Sequence, residues 1–194
     1  MSDFKDPERM IDAIYNFADY IEGASEIGKT FSLNKKYNSI QNIIVAGMGG
    51  SAIGGDICNM LIKNELSIPL YVCRNYSIPK WANTHTLVIV SSYSGDTEET
   101  LSAFEDAKSK ECQIIGIATG GALSKRISDN SLDSIFMPSG LQPRAALAYS
   151  FVPMLYLLLK LELIEIDLQN SLVNSISLLK SVRDNYKLHN ENNK

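Results

Sequence analysis

Histidine and cysteine, the residues that build most metal and redox centres, are scarce in this chain: two and three, respectively, among 194 residues. Cys58, Cys73 and Cys112 are odd in number and widely spaced, with no Cys-x-x-Cys pair and no metal-ligand spacing to His85 or His189. A zinc module and a disulfide-stapled scaffold are thereby excluded, and no metal is expected. Basic charge is also short. Lys and Arg number 18 against 22 Asp and Glu, a formal net charge of −4, and no run of Lys or Arg marks a nucleic-acid or anionic-membrane surface. Long apolar runs are missing as well. The richest, Ala145 to Leu159, is interrupted by Ser150 and Pro153 and falls short of the roughly 20 residues that span a bilayer. It reads as a buried helix. The first residues, Met1 to Arg9, are charged from the outset and hold no apolar signal core, so a reduced, cytoplasmic protein is expected. Repeats of solenoid length and low-complexity blocks are absent too.

What is present is an alternation of short apolar runs with helical patterns. Ile43–Ala46, Leu70–Cys73, Leu87–Val90, Gln113–Ala118 and Ser134–Met137 are apolar almost throughout, as strands buried on both faces are. Helices are predicted between them over Ser51–Lys63, Thr97–Lys110 and Ala122–Ser128. This pattern predicts an α/β fold with a five-stranded parallel sheet, covered on both faces because right-handed crossovers place helices there. An amphipathic helix is expected ahead of the sheet from Pro7 to about Ile27, with Gly28 ending it. After the sheet, a long apolar helix is expected to begin at Pro143-Arg144 and to be kinked or split at Pro153. Leu168, Leu172, Ile176, Leu179, Val182 and Tyr186 then mark one face of a last helix. The expected division is a helical extension over 1–38, a core domain over 39–160, and a C-terminal helix and linker over 161–194.

Two strand-to-helix junctions carry the chemistry: Gly47-Met48-Gly49-Gly50-Ser51 and Ser91-Ser92-Tyr93-Ser94-Gly95-Asp96-Thr97. Such a junction aims backbone N–H groups and the positive end of a helix dipole at one spot, which suits an anion. Hydroxyls of Ser51, Ser92, Ser94 and Thr97 add neutral donors, and in open parallel sheets ligands sit beyond the carboxyl ends of the strands. Three readings of the first loop stay open. Gly47-x-Gly49-x-x-Ala52 also fits a dinucleotide fingerprint, with Arg74 placed to meet a 2′-phosphate; it also fits an ordinary tight turn; and it fits a phosphate cradle. The second loop favours the last, since a turn needs Gly95 and one capping residue but not four clustered hydroxyls. The bland reading of Asp96 and Thr97 is that one of them caps the following helix. Gly120-Gly121 reads as a tight turn at the same edge. Arg144, at a helix start where its charge opposes the dipole, suits an oxyanion, carboxylate or phosphate.

These segments together resemble the sugar isomerase (SIS) domain, and more narrowly the bifunctional phosphoglucose/phosphomannose isomerase family. The residues that carry the resemblance are Gly47 to Asp56, Ser92 to Thr100 and Gln142-Pro143-Arg144-Ala145-Ala146, and it covers essentially the whole chain but only the N-terminal portion of a typical member. Asp96 departs from the pattern, where the family more often has Asn. The resemblance implies a flavodoxin-like three-layer sandwich in which Gly49, Gly50 and Ser51 approach the substrate. Ser92, Ser94 and Thr97 would then bind its phosphate, and Arg144 would stabilise an enediolate. It also implies aldose–ketose isomerisation of glucose 6-phosphate, fructose 6-phosphate or mannose 6-phosphate without a cofactor, in a homodimer. The family's catalytic Glu, His and Lys lie in the part following this chain's end, so the chain alone is expected to be catalytically incomplete; His189 and Glu191 are weak substitutes for them. The other reading is a phosphosugar-sensing SIS module that regulates a partner, which keeps every loop and needs no base.

Overall fold

The computed structural model describes Asp6, residues 9–183 and Asn185. Five parallel strands form one sheet: β1 (Asn42–Ala46), β2 (Leu70–Cys73), β3 (Thr86–Ser92), β4 (Gln113–Ala118) and β5 (Asp133–Phe136), in spatial order β2-β1-β3-β4-β5. Because side chains alternate across a strand, each apolar run feeds two cores. Ile43, Val45, Leu87, Ile89, Ile115, Ile117 and Ile135 meet α2 (Phe17–Thr30), α3 (Gly49–Ile62), α6 (Leu147–Lys160) and α7 (Leu168–Arg183) on one face. Ile44, Ala46, Val88, Val90, Ile114 and Ala118 meet α4 (Glu98–Ser109) and α5 (Gly121–Asp129) on the other. A fully buried side chain such as Phe104 on α4 contributes about 1.5–3 kcal/mol through burial. The expected three-layer α/β sandwich is therefore the fold. Among the described residues no helix is long and apolar enough to cross a membrane.

The flanking helices differ from expectation in instructive ways. The first one is two, α1 (Met10–Tyr15) and α2, joined at Asn16, and α2 runs through Gly28 to Thr30. Gly28 is not a stop signal. A Cβ there would lie 2.2 Å from the Tyr156 ring, so glycine lets α2 pack directly on α6. The Ser25 and Tyr156 hydroxyls, 2.8 Å apart, pin the same crossing. Helix α6 begins at Leu147 rather than at Pro143-Arg144, because Gln142 to Ala146 folds into its own turn, with the amides of Ala145 and Ala146 both donating to the Gln142 carbonyl at 2.8 and 3.1 Å. Pro153 does not split it. Every residue from Ala148 to Leu158 is buried, and that packing holds the helix together across a proline whose ring costs about 3 kcal/mol in an interior turn. Tyr186, expected on the last helix, lies outside the described residues, as do Pro7, His189 and Glu191.

Asp133, at the start of β5, ties the α2–β1 connection to the sheet. Its carboxylate accepts the Asn34 amide (2.9 Å) and side chain (3.0 Å), the Lys35 amide (3.0 Å) and the Tyr37 hydroxyl (2.9 Å). Burial resists its ionisation, yet those donors prevail and hold the carboxyl below its ordinary value. The Tyr37 phenol is pushed well above its own, first by burial and then by the carboxylate it serves.

Candidate anion site at the β1 and β3 crossovers

Strand order places β1 and β3 side by side, while the chain leaves β1 for β2 on one side and leaves β3 for β4 on the other. Their carboxyl ends therefore flank a crevice at the topological switch point, where open α/β sheets bind ligands. The loop after β1 opens α3 at Gly49, and the loop after β3 opens α4 at Glu98. Neither helix start carries a side-chain cap. Both present their first-turn amides and dipole ends at the same edge.

Asp96 and Thr97 do not cap α4. Asp96 instead reaches sideways, its Oδ1 accepting the Ala122 amide of α5 at 2.8 Å, and so holds the Gly120-Gly121 turn against the second loop. Thr97 turns back to Ser92, their hydroxyls 3.0 Å apart. Gly95 completes this junction at φ 78°, in the left-handed region, and a Cβ there would sit 1.9 Å from the Gly120 carbonyl oxygen. The Leu123 amide donates to the Gly95 carbonyl at 2.8 Å.

Three of the hydroxyls play the same hydrogen-bonding role. Ser51 Oγ accepts the Tyr93 amide (3.2 Å), Ser92 Oγ accepts the Gly95 amide (3.1 Å), and Ser94 Oγ accepts the Asp96 amide (3.2 Å). A hydroxyl whose oxygen takes an N–H keeps its own hydrogen to donate. Ser51 and Ser94 thus each have a hydrogen left to donate, and the Ser92–Thr97 pair, sharing one hydrogen, retains another. Ser92 is buried and Ser94 exposed, so the first sits beneath the loop and the second on its surface. Gly49, Gly50, Ser51, Ser92, Ser94 and Thr97 are in this way brought to one sheet edge.

Arg144 joins them through its backbone. A Cβ on Gly50 would lie 2.7 Å from the Pro143 carbonyl oxygen and 3.7 Å from Arg144 Cα, so the first loop and the Gln142–Ala146 turn are in contact. Arg144 itself is exposed and also lines a cleft of about 390 Å³ with Met10, Ile14, Phe17, Leu147 and Leu179. Arg74, the residue a 2′-phosphate would need, is paired with Asp56 on α3. Burial pushes the Cys58 thiol up to about 12 and the Cys112 thiol to about 11, so neither is a nucleophile at neutral pH. Sequence reasoning missed Tyr93 and Thr119. Thr119 donates to the Tyr93 carbonyl through its amide (3.2 Å) and hydroxyl (2.7 Å), and only an aromatic residue set between two loop serines hinted at this.

No protein-family model matches the chain. Among curated proteins it is 46% identical over 178 residues to a bifunctional phosphoglucose/phosphomannose isomerase of Caldicellulosiruptor bescii, covering 92% of this chain and 52% of that protein. A protein of the same name from Thermoplasma acidophilum is 36% identical over 147 residues, covering 76% of this chain and 45% of the relative. Among solved structures, the C-terminal domain of glucosamine-fructose-6-phosphate aminotransferase from Francisella tularensis superposes with a TM-score of 0.63 at 15% identity, covering 92% of this chain and 55% of that one. That likeness shows the fold. The chain spans about half the length of the curated relatives it matches. On the sequence identity, over the half of the relatives' length that it spans, the chain belongs to the bifunctional phosphoglucose/phosphomannose isomerase family.

Proposed function

We propose that this chain is the sugar-phosphate-binding part of a glucose-6-phosphate/mannose-6-phosphate isomerase, with residues 39–160 as its SIS domain. The observation that carries the reading is the pair of uncapped helix starts, α3 and α4, set side by side at the switch point with serine hydroxyls that accept loop amides and keep hydrogens to donate. A phosphate dianion there receives N–H and O–H donors from both loops and the positive ends of two helices, which binds it without a cluster of Lys or Arg. The names of the relatives, phosphoglucose/phosphomannose isomerases, support a hexose as the rest of the substrate.

In this reading the grip on the phosphate holds C1 and C2 of the open-chain sugar at the mouth of the crevice. Arg144, one residue from the Pro143 carbonyl that touches Gly50, supplies the guanidinium that stabilises the enediolate oxygen as charge develops. Isomerisation also needs a base within hydrogen-bond reach of the transferred proton. Asp96 is engaged at Ala122, and in this reading the proton carrier belongs to the part of the family's length that this chain does not span, in a site that a neighbouring subunit of a homodimer completes. Two measurements test this. Calorimetric titration is expected to show binding of fructose 6-phosphate and none of fructose. The isolated chain is expected to form no glucose 6-phosphate, and turnover near 10 s⁻¹, an ordinary enzyme value, would contradict the division of labour.

A further inference from the structure

We infer that Tyr93 is a positioning residue, coupling the second loop to the turn that carries Arg144. The inference rests on the function proposed above and concerns how its two halves, phosphate grip and guanidinium, are held in register.

Each polar group of Tyr93 reaches a different strand end. Its N–H donates to Ser51 Oγ beyond β1, and its carbonyl accepts from the Thr119 amide and hydroxyl beyond β4. The phenol reaches the exit of β5, donating to the Pro138 carbonyl at 3.1 Å and accepting the Leu141 amide at 2.8 Å. Pro138 and Leu141 are positions i and i+3 of a bend, the pair that a β-turn would join directly. Here the Tyr93 hydroxyl is inserted between them and relays the bond. The backbone from Leu141 passes at once into the Gln142–Ala146 turn, closed by the Ala145 and Ala146 amides on the Gln142 carbonyl. Arg144 thus rides on a hydrogen-bonded unit that the Tyr93 phenol tethers to the second loop.

The ring is buried in the core between the sheet and α6, while its main chain lies between Ser92 and Ser94. When an anion draws those two serines and the Ser51 hydroxyl together, the phenol cannot stay behind, and Pro138 to Arg144 moves with it. Tyr93→Phe keeps the ring and its packing but leaves the Pro138 carbonyl and Leu141 amide without the relay. The loop hydroxyls that hold the phosphate are untouched.

The test is solution NMR with calorimetry on this chain, using fructose 6-phosphate. In the unmodified chain, saturating ligand is expected to shift the Arg144 Nε–H resonance and to slow exchange of the Leu141 amide. In Tyr93→Phe, the Kd is expected to stay within about threefold, the free-state Leu141 amide to exchange at least about tenfold faster, and the Arg144 shift to vanish. Ser94→Ala should do the reverse, weakening binding while the Arg144 shift returns at saturation. A merely structural phenol would lower thermal stability and leave the Arg144 response intact, which would overturn the inference while sparing the site. An unmodified chain that binds without any change at Leu141 or Arg144 would overturn it as well, even if Tyr93→Phe proved unable to fold. Absence of binding altogether would overturn both the inference and the function it rests on.

Discussion

Ser92 and Ser94 are separated by one residue, carry the same hydroxyl and each accept a backbone amide, yet their removal should be felt in different quantities. Ser92 is 2% exposed, and its oxygen satisfies the amide of buried Gly95 while pairing with Thr97. Replacing it by alanine strands that amide under the loop, at a cost of about 1–3 kcal/mol. For a chain of this length, about 2 kcal/mol corresponds to a fall in Tm of roughly 4–8 °C. Ser94 is exposed, and water can take over the Asp96 amide it serves, so Ser94→Ala should shift Tm by about 2 °C or less. Its cost falls on the ligand: one donor to a charged phosphate, worth about 1.5–3 kcal/mol, or roughly 10- to 150-fold in Kd for fructose 6-phosphate. Thermal unfolding followed by circular dichroism and titration calorimetry read the two effects. The reasoning fails if Ser94→Ala unfolds as early as Ser92→Ala, or if its affinity is that of the unmodified chain.

Asp96→Asn keeps an oxygen for the Ala122 amide but removes a negative charge beside the anion; Tm should change by about 2 °C or less, and fructose 6-phosphate should bind several-fold tighter at low salt, with the gain fading as salt rises. Gly50→Ala should separate the first loop from the Pro143 carbonyl that a Cβ would meet at 2.7 Å, lowering both Tm and affinity; equal values for variant and parent would place that contact elsewhere. Asp133→Asn should destabilise the chain by about 2–4 kcal/mol at pH 7, since the buried carboxylate serves four donors. Because its folded pKa is depressed, that contribution is present above the ordinary carboxylate range and is lost as pH falls through the folded value. Denaturant unfolding should therefore show the gap between parent and Asp133→Asn narrowing at acid pH, and a gap that is constant with pH would refute the linkage.

The sheet was legible because strands buried on both faces, such as Leu87–Val90, have no polar residue to blur the pattern, and three of the four gaps between the strands carry helical patterns. The two loops were legible for a related reason: four hydroxyls at the end of a buried strand exceed what a turn requires. What escaped was decided by contacts distant in sequence. Gly28 reads locally as a helix stop, and only Tyr156, far along the chain, shows it to be a packing glycine. Pro153 reads as a break until its surroundings are seen to be buried on all sides. Asp96 reads as a cap for the helix it precedes, because the start of α5 beside it is set by the pairing of β3 with β4. Asp133 carries no local signal at all; its partners Asn34, Lys35 and Tyr37 reach it only once β5 takes the sheet edge.

The central claim, that both crossovers close on one phosphate, is tested most directly by backbone amide shifts in a fructose 6-phosphate titration. Gly49 to Ala52 and Ser94 to Glu99 should move together along a single saturable isotherm, and unphosphorylated fructose should move neither. Movement of one loop alone, or shifts confined to the cleft lined by Met10, Phe17 and Leu179, would contradict it.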